Sequence, residues 1–228
     1  SQVAILGLSS TGKVTGASRQ IAADIRAATG AIYDQVLLQG DSTTITADPG
    51  KITRLSYVDL NDDIVQVEFS GAGSLSLVLE NATGPAPAAN YNQPEVDYMK
   101  GHASIVITGA DATSNVSIFS VGRVTAFNQS LFRSDVNYDG VADLGYLAIL
   151  STDGHFGGVR TANASYFATK GYTGIFAPHV QFDGPVYVGD IQAADNAMPV
   201  LLLGSASDLR IAGGNLHQLN DRALEVSG

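Results

Sequence analysis

Between Asp135 and Asp143 the sequence reads Asp-Val-Asn-Tyr-Asp-Gly-Val-Ala-Asp. Oxygen-bearing side chains stand at the first, third and fifth positions, as Asp135, Asn137 and Asp139. Gly140 follows, then Val141, and Asp143 is ninth. Calcium takes roughly six to eight hard oxygens at about 2.3–2.6 Å. Alternate side chains converge on such an ion when the chain curls, and a glycine at the sixth place permits the curl. The spacing therefore predicts one Ca²⁺ held by the side chains of Asp135, Asn137, Asp139 and Asp143 and by the carbonyl of Val141. Water or a remote carboxylate would complete the shell. Magnesium should compete poorly, because it demands a tighter octahedron near about 2.0–2.1 Å and dehydrates reluctantly.

Other chemistry-bearing residues form weaker patterns. Asp59-Leu-Asn61-Asp62-Asp63 echoes the same alternation, but it lacks the glycine and Ile64 begins an apolar alternation at once. A hairpin turn joining Ile52–Val58 to Ile64–Phe69 accounts for it without an ion. The four histidines, His102, His155, His179 and His217, are isolated, and no pair has the spacing of helical zinc ligands. Gly7-Leu-Ser-Ser-Thr-Gly-Lys13-Val14 nearly spells a phosphate-binding loop, but Val14 stands where a hydroxyl must hold magnesium. Asp183, Asp190, Asp208, Arg210 and Asp221 are candidates for acid–base work on a polysaccharide. Nothing in their spacing marks them as one set, and solvated corners account for them. Asn81, Asn115, Asn128 and Asn163 each begin an acceptor sequon, a pattern that arises readily in a chain so rich in Asn, Ser and Thr.

The Asp135–Asp143 stretch resembles the calcium loops of dockerin modules and of FG-GAP repeats. Tyr146 stands at the twelfth position, where the dockerin loop ends on an acidic residue. Asp143-Leu144 followed by the strand-like Tyr146–Leu150 is closer to the strand-flanked version. Thr15-Gly-Ala-Ser-Arg19, with Ser151 and Tyr166-Phe-Ala-Thr-Lys170, resembles the cofactor turn and the Tyr–Lys pair of short-chain dehydrogenases. That resemblance implies a phenol whose proton is loosened by the lysine. Against it, Gln20 and Ala22 replace glycines needed beside a pyrophosphate. Gly171, Gly174 and Pro178 also follow where a long helix should run.

The elements that must position these residues read as strands. Val65, Val67 and Phe69 alternate with polar residues, as do Leu75, Leu77 and Leu79, then Ile105 and Ile107, then Val116 and Ile118. Period two places each apolar set on one face of a sheet. Residues 18–28 carry the one helical spacing, with Ile21, Ala22, Ile25 and Ala28 on one side and Gly30 to stop it. Residues 84–94, with Pro85, Pro87 and Pro94, divide an N-terminal β region (1–83) from residues 95–228 as a linker or a loop. In the second part, short apolar strings recur between Gly, Asn and Asp: Tyr146–Leu150, Gly174–Phe176, Val186–Val188, Val200–Leu203, Leu209–Ile211 and Leu224–Val226. Small corners such as Asp183-Gly184-Pro185 and Gly213-Gly214-Asn215 separate them. Strands of that kind suit a β-solenoid, whose turns bury inward side chains against those above and below. Residues 95–228 resemble the single-stranded right-handed β-helix proteins of bacterial surfaces. The fold class is therefore all-β, with a β-sandwich pair as the alternative architecture.

Composition narrows the function. Across 228 residues there are 12 basic and 22 acidic side chains, a net charge of −10, and no cysteine. An acidic surface repels phosphate backbones, so no nucleic-acid partner is expected. Thiol catalysis, thiolate metal sites and disulfides are excluded. No apolar run approaches the roughly 20 residues of a membrane helix. Charged residues make up 15 %, with small polar residues in their place. The chain starts at Ser1 and ends in the strand-like Ala223–Gly228, which predicts a longer polypeptide with further domains. The function expected is an exported, secreted or cell-surface calcium-binding module with a structural or adhesive role, whose partner is a carbohydrate or another surface protein. A carbohydrate-active enzyme on a β-helix, a polysaccharide lyase or hydrolase, is the alternative.

Overall fold

The computed structural model describes residues 33–36, 42–47, 49–59, 61, 63–86, 98–120, 139–211 and 224–226. Among them there is no helix, and the regular structure is all β. The residues 18–28 expected to be helical lie outside the described residues. So do the corner at Gly213–Asn215 and residues 87–94 of the Pro-rich stretch.

In the N-terminal part the strands are β1 (Tyr33–Val36), β2 (Ser42–Thr46), β3 (Ile52–Val58), β4 (Ile64–Ser70) and β5 (Ser74–Ala86). The chain continues through β6 (Tyr98–Ala110), β7 (Asn115–Ser120), β8 (Ala142–Ser151) and β9 (His155–Phe156). It ends with β10 (Gly158–Phe182), β11 (Val186–Ala206), β12 (Leu209–Ile211) and β13 (Leu224–Val226). Every short apolar string noted in the second half is a strand or part of one. β10 and β11 run for 25 and 21 residues, and their mutual pairing resumes after each of three register shifts.

Two ladders emerge from the pairings. In one, β2, β5 and β6 pair antiparallel, and β6, β8, β10, β11 and β13 follow in parallel. In the other, β3, β4 and β7 pair antiparallel, and the starts of β10 and β11 and then β12 add in parallel. Long β10 and β11 belong to both, and a pairing of Val58 with Lys100 joins the ladders at the other end. The result is one mixed sheet wrapped around its own inner face, and not two face-packed antiparallel sheets. Strands from both sides of residues 84–94 take part, and Ala86 at the end of β5 pairs with Tyr98 at the start of β6.

Period-two alternation explains the core. Leu77, Ile105, Leu147, Ile175 and Leu201 are partners in register across five strands, and all are fully buried. Phe69, Val116, Val159 and Val186 form the corresponding row on the other ladder. Both rows belong to one contiguous buried cluster. Corners stack as well. The N–H of Gly157 donates to the Ser114 carbonyl (2.8 Å), that of Asp183 to Phe156 (2.9 Å), and that of Val186 to Asp208 (2.9 Å). Polar backbone at the bends thus finds partners in the neighbouring turn.

Candidate functional site

β3 and β4 form the hairpin expected from the sequence, paired from Ile52–Ser70 to Val58–Ile64. Its turn carries Asp59, Asn61 and Asp63. Asp59 Oδ1 accepts N–H bonds from Asn61 (3.0 Å) and Asp63 (2.9 Å), an aspartate-capped turn. The other oxygen, Oδ2, reaches across the molecule to accept the N–H of Asp143 at 3.0 Å. Tyr57, fully buried two residues earlier, donates its hydroxyl to the Asp143 carbonyl at 2.8 Å.

The second acidic turn is therefore clamped to the first. Asp63 accepts the hydroxyl of Ser120 (2.7 Å) on one oxygen and the N–H of Asp139 (3.3 Å) on the other. The Asn61 amide donates to Asp139 Oδ2 at 3.5 Å, a long contact. Asp139 Oδ1 accepts the N–H of Val141 at 2.9 Å, which curls the chain at Gly140, where φ is 79°. Of the five predicted calcium ligands, Asp139, Val141 and Asp143 stand here. Asp135 and Asn137 lie outside the described residues. Among the described residues, no group of three or more His, Asp or Glu side chains is placed to hold a metal ion.

Electrostatics make this junction unusual. Asp59 and Asp63 are fully buried and Asp143 nearly so. Burial pushes the Asp59 carboxyl up to about 8, with Asp143 adding to the rise and the donated N–H bonds opposing it. Burial likewise lifts Asp63 to about 6, against the Ser120 hydroxyl and the Asp139 N–H. Asp143 rises to about 6 through burial and then through the charges of Asp139 and Asp63. Several carboxyls gathered out of water resist ionising together, and a cation is the usual remedy.

Sequence reasoning named one half of this junction and set the other aside. Asp59 and Asp63 were explained by the hairpin alone. The hairpin is real, but its carboxylates also grip the Asp139–Asp143 turn. The signal was present in the shared alternate spacing of Asp and Asn in the two turns.

The remaining candidates are dispersed. Asp183 sits in the corner between β10 and β11, with His155 Nδ1 at 2.9 Å and the Gln181 amide at 2.9 Å. These contacts hold its carboxyl below the usual range. Asp208 occupies the next corner, bound by Arg210 (2.9 Å) and the Tyr187 hydroxyl (3.2 Å), with the guanidinium 4.9 Å from the Tyr187 ring centroid. Asp190 lies within β11 opposite Ser165, and its buried Oδ1 has no hydrogen-bond partner among the described residues. Asp221 and His217 lie outside the described residues. Tyr166 is on a strand, fully buried, and donates to Thr161 Oγ1 at 2.8 Å. Burial raises its pKa, the opposite of what a catalytic phenolate needs. The Tyr–Lys resemblance to dehydrogenases therefore fails on both backbone and electrostatics. The Gly7–Val14 loop lies outside the described residues. No protein-family model, no curated protein and no solved structure matches this chain.

Proposed function

We propose that this chain is a calcium-stabilised β-solenoid module of an exported surface protein, with a structural or adhesive role. The observation that carries this reading is the junction of the two acidic turns. Asp59 and Asp63 from one turn and Asp139 and Asp143 from the other meet through direct hydrogen bonds. Three of these carboxyls are pushed up by burial and by one another. A divalent ion bound beside them by Asp135, Asn137, Asp139, the Val141 carbonyl and Asp143 would offset that repulsion and pin the turns together. The solenoid reading is supported by the parallel rows from β6 to β13 and by the stacked corners. Asp183 and Asp208 sit in such corners, each tied to neighbours of its own, which suits a scaffold.

Calcium should raise the melting temperature with the logarithm of its concentration above the dissociation constant. At a hundred times the dissociation constant the gain is about 2.7 kcal/mol when the unfolded chain does not bind. Melts in EGTA and in excess calcium test this. Asp139→Ala should abolish the difference. A midpoint that ignores calcium, in both the parent and the variant, would leave the junction an ordinary pair of hydrogen-bonded turns.

A further inference from the structure

A second feature begins on β8 two residues beyond Asp143 and shares no residue with the acidic turns. β8 passes from Leu144 to Tyr146 through Gly145 alone, while its partner β10 takes the longer route from Tyr166 to Gly174. The extra residues, 167–173, pair only with β11, Phe167 with Gln192 and Tyr172 with Met198, across a one-residue register shift between Ala168 and Lys170. Two neighbouring strands thus project together beside a strand that does not. The buried Thr173 hydroxyl donates to the Gly145 carbonyl at 2.6 Å and anchors the base of the projection.

The step leaves a cleft of about 240 Å³ lined by His102, Ser104, Tyr146, Phe167, Lys170 and Tyr172 among others. Gly145 forms part of its floor, and a side chain there would press on Ser104 Oγ. The His102 ring packs against Phe167 with centroids 5.8 Å apart. His102 is 8 % exposed, and its Nδ1 has no hydrogen-bond partner among the described residues. Burial lowers the pKa of this imidazole, so it is neutral at neutral pH.

The chemistry of the lining is selective. Among the described residues, no acidic side chain lines the cleft. In a chain of net charge −10, that absence isolates Lys170, which makes no ion pair among the described residues. Tyr172 is 67 % exposed and lines the cleft, so its ring face is open to a ligand there. Aromatic faces accept flat, C–H-rich surfaces, and a lone ammonium pairs with a single carboxylate. Small-molecule sites begin near about 300 Å³, so this volume suits one ring better than an extended ligand. A phosphate would call for a convergent set of cations or backbone N–H groups in place of three aromatic rings.

We propose that this cleft binds one uronate ring of an acidic glycan, with Lys170 pairing the carboxylate and Tyr146 and Tyr172 packing on the apolar face of the sugar. His102 and Ser104 stand ready for ring hydroxyls. The proposal goes beyond the calcium reading and is independent of it.

The test is isothermal titration calorimetry with trigalacturonate and with its methyl ester, the fold being checked by circular dichroism in the same buffer. Saturable binding of the acid is expected. Binding should weaken by about tenfold or more for the ester, for Lys170→Gln and for Tyr172→Ala. Both positions are exposed, so the variants should fold, and Arg160→Gln on the exposed start of β10 should bind like the parent. No saturable heat with trigalacturonate overturns the proposal. So does equal affinity for the ester, or unchanged binding in both cleft variants.

Discussion

Asp59 shows how one buried side chain can serve two turns. Its two oxygens accept three backbone N–H groups, two from its own turn and one from Asp143. Those bonds favour the carboxylate, while burial and Asp143 favour the acid, and burial prevails. The consequence for stability has a definite sign. A carboxyl whose folded pKa lies above its unfolded value near about 4 binds its proton more tightly when folded. The stabilisation is therefore complete below about pH 4 and is lost as pH rises through about 6 for Asp63 and Asp143, then about 8 for Asp59. In calcium-free buffer the urea midpoint should be lower at pH 8.5 than at pH 5.5, by a free energy on the order of 2 kcal/mol. Added calcium should restore much of it at the higher pH. A midpoint that is equal or higher at pH 8.5 without calcium means these carboxyls are not strained by ionisation.

At the scale of elements, the architecture depends on β10 and β11 resuming their pairing after each of three register shifts. Gly174 marks the point where β10 rejoins β8 after its projection, pairing with Tyr146 on one side and Val200 on the other. Its φ is 111°, and a Cβ there would run into the Val200 backbone carbonyl. Gly171, near the tip of the same projection, also has a positive φ of 81°, but a Cβ would meet open space. The two glycines separate two effects. Gly171→Ala should cost only the left-handed penalty of about 1–2 kcal/mol. Gly174→Ala should cost that and a forced shift of the β10–β11 ladder, on the order of 3 kcal/mol or more. Urea denaturation of both variants measures the difference. Equal losses would mean that β11 does not approach Gly174 as closely as this register requires.

The whole molecule shares one core, and its N-terminal strands depend on later ones. β4 is completed by β7, and β5 by β6. Without these partners, residues 1–86 retain the β3–β4 hairpin, edged only by the four residues of β1, and the two-stranded β2–β5 pair. Isolated two-stranded ribbons are marginal in water. A fragment of residues 1–86 should therefore lack stable tertiary structure. Its circular dichroism should show little strand signal, and its amide resonances should be poorly dispersed. A well-dispersed, cooperatively melting fragment would make the N-terminal region a domain in its own right.

Period-two alternation is a local property, and it was legible in the residues. It marked Val65–Phe69, Leu75–Leu79, Ile105–Ile107 and Val116–Ile118 as strands, while short apolar strings between small corners marked those from Tyr146 onward. It indicated the all-β class and the hairpin between Ile52–Val58 and Ile64–Phe69 for the same reason. Which strand lies beside which is a different matter, because pairing is decided by shape and burial across long separations. Asp59 and Asp143 are 84 positions apart, and nothing in either turn names the other. The stacked positions Leu147, Ile175, Leu201 and Leu224 are unequally spaced, so no repeat period reveals them. The cleft beside Lys170 exists only because β10 takes a longer path than β8 between two points of contact. Local chemistry set the strands, the turns and the acidic side chains; the clamp between the acidic turns and the cleft arose only when distant segments competed for one buried inner face.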